Sequence, residues 1–165
     1  MSRQVLELES LLQELIAENQ RLLKHLQSQQ AAMRAMDAVA MDAAARQQDA
    51  SRMRLLALEA RRRNTVNQIL QQNGKRLGLN VTIAEIAGWY PARSAELLKL
   101  RNQLKDVVQQ VQTRAQVAGR VAGSLLGHLN TVVRLIAGAV EKAGVYTKQG
   151  VPKVSSRIGV MEAVG

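Results

Sequence analysis

Residues 92–142 read ARSAELLKLRNQLKDVVQQVQTRAQVAGRVAGSLLGHLNTVVRLIAGAVEK. Within this stretch Leu97, Leu100, Leu104, Val107, Val111, Ala118, Ala122, Leu125, Leu129, Val132, Ile136 and Val140 recur at alternating intervals of three and four. That spacing is the seam of a helix, interrupted only near Ala115. Both prolines, Pro91 and Pro152, lie outside it. A helix of this length extends about 75 Å at 1.5 Å per residue.

Working outward, the chain opens with a second such seam. Val5, Leu8, Leu12, Leu15, Leu22 and Leu26 predict a helix over about 5–33, with Leu11, Ile16 and Leu23 widening the stripe for two neighbours. Asn19 interrupts that seam. Two readings of it are open: a buried polar residue that fixes register, or a residue at a wet edge. Near Ala35 the pattern lapses, and Asp37 is placed to cap a helix over 38–72, with Met41, Leu55, Leu56, Val66, Ile69 and Leu70 as its main apolar contacts. Asn73-Gly74 supplies a left-handed stop. Between the long elements, Thr82 and Glu85 fit a capping box, so a short helix is expected over 83–87, ended by Gly88. Leu79, Val81, Ile83, Ile86 and Trp89 give this connector an apolar side.

The expected fold is all-α: an elongated antiparallel helical bundle or coiled coil of three long helices plus one short connecting helix. The bundle domain spans 1–145 and a flexible tail 146–165. The first helix, at about 42 Å by the same rise, is much shorter than the last. Part of the last helix is therefore expected to lack cover from its own bundle.

Composition agrees with narrow helical seams. The chain has 165 residues, 47% of them hydrophobic, with one Trp, two Tyr and no Phe. Wide cores lean on aromatics, which bury roughly 150–250 Å² each. The absence of cysteine excludes disulfides and thiolate metal sites. The opening Met1-Ser-Arg-Gln leads straight into charged periodic sequence, so no secretory signal is expected. The uncharged stretch from Val121 to Val133 is too short and too polar to span a bilayer, which needs about 20 apolar residues. A soluble, cytoplasmic protein without stable membrane insertion is expected. Net charge is +10, and residues from Ala92 onward hold eleven basic and four acidic side chains, or +7 of it. An asymmetry of this kind fits an acidic protein, a nucleic acid or a membrane surface.

Catalysis finds little footing. His25 and His128 lie on different predicted helices, with no cysteine or paired carboxylate to complete a metal cluster. No Walker loop, G-x-G-x-x-G or G-x-S-x-G occurs. No enzyme activity, cofactor or metal is expected. Arg61, Arg62 and Arg63 sweep about 200° of helical arc, so they form no phosphate-facing row, and stacking platforms for single strands are absent. Solvated arginines explain them, and no nucleic-acid partner is expected.

The most informative feature is a strip of small residues. Gly119, Gly123 and Gly127 lie four apart on one face, extended by Ala115. Each interior glycine costs a helix about 1 kcal/mol relative to alanine. Beside the strip run Val117, Val121, Leu125, Leu126, Leu129, Val132, Val133 and Ile136, more apolar surface than one neighbour covers. Two readings stay open: close packing within the chain's own bundle, or a face that orders fully against a partner helix. Trp89-Tyr90-Pro91 is likewise either a plug holding the connector or a partner anchor. Two further readings of the whole chain are a coiled-coil scaffold or assembly subunit, and a basic nucleic-acid-binding helical protein.

Several of these stretches together resemble the FlgN-type flagellar export chaperones, which serve the bacterial type III export apparatus. The resemblance rests on the Leu-rich opening helix and on LEARRRNTVNQIL from Leu58 to Leu70. It rests also on TIAEIAGW from Thr82 to Trp89 and AGRVAGSLLGHLNTVVRLI from Ala118 to Ile136. Tyr146 to Gly150 looks like the family's Tyr-x-x-x-Gly ending, whereas the family's Asn-Gly stands here as Ala118-Gly119. The resemblance implies a cytoplasmic chaperone that binds the C-terminal amphipathic segments of hook-filament junction proteins. It would prevent their premature polymerisation and aid export, in contact with export apparatus components. The residues expected to bind partner are Val117, Gly119, Val121, Gly123, Leu125, Leu126, Leu129, Val132, Val133, Ile136 and Tyr146.

Overall fold

The computed structural model describes the backbone of residues 3–78 and 80–144, and the surroundings of individual side chains through residue 120 and at Gly123. Four helices occur there: α1 (Arg3–Arg34), α2 (Ala38–Gln72), α3 (Ile83–Trp89) and α4 (Pro91–Gly144). The chain divides into two compact units, Met1–Gly123 and Ser124–Gly165. Of the second unit the described part is helical backbone, the last portion of α4. The expected tail at 146–165 lies outside the described residues, as does Leu79.

Local chemistry sets the helix ends. Met36 turns the chain at φ 54°. Asp37 then adopts extended backbone, and its Oδ1 accepts a 2.9 Å hydrogen bond from the Ala40 N–H. So short a turn returns α2 alongside α1. At the other end of α2, Gly74 sits at φ +61° and the Lys75 N–H donates to the Leu70 carbonyl at 2.9 Å, which satisfies an otherwise orphaned acceptor. The Asn73 amide bridges the Ile69 carbonyl and the Tyr90 hydroxyl, both at 2.8 Å, and so ties the connector to α2. Thr82 and Glu85 form the capping box: the Glu85 N–H donates to Thr82 Oγ1 and the Thr82 N–H donates to Glu85 Oε2. Gly88 does not end α3. The helix runs on through it to Trp89 because Ile86 and Ala87 are sealed against the bundle and Trp89 packs on the same core. That burial outweighs the glycine's roughly 1 kcal/mol.

Side-chain bridges fix the directions. Glu14 meets Arg61, Glu18 meets Arg54, and Gln29 meets Gln48, so α2 runs antiparallel to α1. Arg93 grips Glu9, and Arg114 donates to Gln30 Oε1 at 3.4 Å; both pairs are 84 residues apart, so α4 runs parallel to α1 in a constant register. The aliphatic core gathers at the connector end: Val5, Leu8 and Leu12 of α1, Val66, Ile69 and Leu70 of α2, Ile86 of α3, and Leu97 and Leu100 of α4. Toward the other end small and polar residues join the seam, with Glu18, Asn19, Gln30, Ala32, Ala44 and Ser51 buried beside Leu22, Leu26 and Met33. Asn19 is buried, and its amide donates to its own helix, at the Leu15 carbonyl 2.8 Å away, rather than across the seam. Leu56, expected among the contacts of α2, is 64% exposed. The seam instead steps through Ala44, Ser51, Leu55, Leu58, Thr65 and Ile69, which leaves Leu56 about 100° away, the turn between successive helical residues.

Glu18 is the best-tethered carboxylate. Burial by itself pushes its pKa up, but hydrogen bonds from Ser51, Arg54 and Arg21 together outweigh that and hold it below the ordinary 4.5. A lowered folded-state pKa means its contribution is fully present above that ordinary value and is lost as pH falls through the folded one. Urea unfolding measured across the acid range should therefore show stability declining below pH 4.5, less steeply in Glu18→Gln. Equal slopes in the two proteins would contradict this.

Candidate partner-binding site

The 84-residue offset brings Arg34, where α1 ends, level with Ala118. Ala118 is the last buried residue described on α4, at 6% exposure, and Val117 beside it is half-buried. One residue on, Gly119 is exposed, and Gly123 on the same face is exposed too. A methyl group at either would meet nothing within 4 Å. Close packing against the chain's own bundle is therefore not what these two glycines serve, and they present bare backbone. Val121, Leu125, Leu126, Leu129, Val132, Val133 and Ile136 fall within the helical span of α4. Their side chains, and Tyr146 altogether, lie outside the described residues.

Other candidate surfaces differ in chemistry. An open groove of about 500 Å³ between α1 and α4 is lined by Leu23, Gln27, Asp106, Gln109, Gln110, Thr113 and Arg114. Amides dominate it, so an apolar stripe seated there would leave polar groups without partners. Of the three consecutive arginines, Arg61 faces Glu14 and Arg62 faces Glu59, while Arg63 is exposed. No shared phosphate-facing row forms. Trp89 and Tyr90 are half-buried against the core, with the Lys75 ammonium 5.9 Å from the Trp89 ring centroid. They act as the plug of the connector. Among the described residues no group of three His, Cys, Asp or Glu side chains is placed to hold a metal, and no helix is long and apolar enough to cross a membrane.

Sequence reasoning missed Glu9 and Glu18, both buried and both joined to arginines of other helices, at Arg93 and Arg54. Apolar spacing alone did not mark them: each stands off the leucine positions, one residue past Leu8 and three past Leu15, and its burial depends on a cation that the fold brings opposite. The Glu9 grip raises the Arg93 pKa through its hydrogen bond to that carboxylate and anchors the start of α4.

With this geometry in view, comparison with protein families finds that the model described as FlgN protein matches residues 1–153. The chain belongs to the FlgN family. No curated protein and no solved structure matches it. The FlgN match covers all four helices and the open glycines, and it supports a flagellar export chaperone role in general terms. FlgN is a chaperone family rather than an enzyme family.

Proposed function

We propose that this FlgN-family chain binds the C-terminal amphipathic helical segment of hook-filament junction proteins in the cytoplasm. It keeps them from polymerising early and presents them to the type III export apparatus. The docking face is the stretch from Val117 to Ile136, with the client's apolar stripe laid along Leu125, Leu129, Val132 and Ile136 in a helix-in-groove mode. The observation that carries the reading is the open face at Gly119 and Gly123, immediately past the level where α1 ends. Bare helical backbone allows a second helix to approach closely. A glycine-weakened helix also draws on the binding energy when it orders, which limits affinity and favours release.

Titration of the full chain with C-terminal peptides of hook-filament junction proteins, followed by size-exclusion chromatography, tests this. A one-to-one complex that survives moderate salt is expected, because apolar burial carries it. Absence of any complex sinks the proposal, and binding to DNA that collapses steeply with salt would favour counterion release from phosphates instead.

A further inference from the structure

At the connector end of the first unit, opposite the open glycines, α2 and the loop before α3 border an open cavity of about 470 Å³. It is lined by Arg62, Arg63, Val66, Asn67, Gly78, Asn80, Val81 and Thr82. Its polar lining consists of two guanidiniums, two amides and one hydroxyl, and it contains no carboxylate. Lys75 and Arg76 enter the same loop just before Gly78. Glu59 pairs with Arg62, and Glu85 is taken up by the Thr82 cap. Among the described residues no carboxylate pairs with Arg63 or Arg76, while the Lys75 ammonium is held over the Trp89 ring. The unpaired Arg63 guanidinium and the two asparagine amides therefore make the lining rich in donors, with Val66 and Val81 as an aliphatic wall.

From this we infer that the cavity is a second docking site, for an acidic segment of a partner protein whose carboxylates meet Arg63 and the two asparagine amides. Three considerations select that occupant. A nucleic acid presents one charge per about 1.7 Å of duplex and needs a row of cations, whereas only two guanidiniums line this pocket and that of Arg62 is already paired with Glu59. Free phosphate makes no use of the valine wall, which suits the methylene stems and apolar neighbours of glutamates. A second copy of this chain, at +10, is repelled from a basic corner. The guanidinium of Arg63 supplies the planar fork that a carboxylate matches.

The test uses the full chain and a fluorescein-labelled peptide alternating glutamate and leucine, followed by fluorescence anisotropy. Saturable binding is expected, weakened about tenfold or more by Arg63→Gln, the loss typical of a hydrogen bond to a charged group. Arg46→Gln, on the same helix but paired with Asp42 away from the cavity, should leave affinity unchanged, and circular dichroism should show both variants folded. Equal weakening by the two substitutions, or displacement of the peptide by millimolar inorganic phosphate or by an oligonucleotide, would overturn the inference. Binding of the junction-protein peptide should be unaffected by Arg63→Gln, so the two sites fail or stand independently.

Discussion

Leu125→Asp combined with Leu129→Asp is expected to abolish binding of the junction-protein peptide while helical content barely falls. Fully burying a leucine contributes about 1.5–3 kcal/mol, and an aspartate in its place must be desolvated against the client's apolar stripe. Two such losses together exceed about 3 kcal/mol, more than a hundredfold in affinity. Isothermal titration with the peptide reads the affinity, and far-UV circular dichroism reads the fold. Should the double variant unfold, those leucines belong to the protein's own core and the docking face lies elsewhere.

The second large effect is on stability. Leu12 is 1% exposed and sits at the centre of the connector-end cluster. Leu12→Ala should lower unfolding free energy by about 2–5 kcal/mol, the range for a leucine truncated within a packed core. Leu56→Ala, at a position 64% exposed, should stay within about 0.5 kcal/mol of the parent. Urea denaturation with a common m-value compares them. If the two variants lose similar amounts, the contrast between sealed seam and outer face is wrong.

The contrast also marks how far the sequence could be read. The alternation of three and four holds along α1 and along the described side chains of α4, because leucine and valine at those positions have one place to go: Leu8, Leu97 and Leu100 are all sealed. The caps at Asp37 and Thr82 were legible because their side chains act on backbone three residues away, within the span a sequence displays. The far half of α2 was not, since its seam passes through Ala44 and Ser51, which carry too little apolar surface to distinguish themselves from their neighbours, and Leu56 offered a more conspicuous but wrong candidate. The buried carboxylates depend on cations far along the chain, and spacing alone does not pair Glu9 with Arg93. Of the proposed docking face, the glycine period was visible from the start, but whether the glycines pack inward or stand open depends on where α1 stops relative to α4. That is a tertiary fact, set by the register.

The shared direction of α1 and α4 has a bearing on the order in which the protein assembles. α1 and α2 meet across a turn of a few residues, so their pairing closes a short loop at little entropic expense, whereas α1 and α4 meet only across 84 residues of intervening chain. Near contacts form sooner than remote ones. On the ribosome the first hairpin thus stands ready, with a strip of leucine still wet, until the segment around Leu97 and Leu100 leaves the exit tunnel to seal it. The nascent chaperone spends that interval as an unfinished client in its own right.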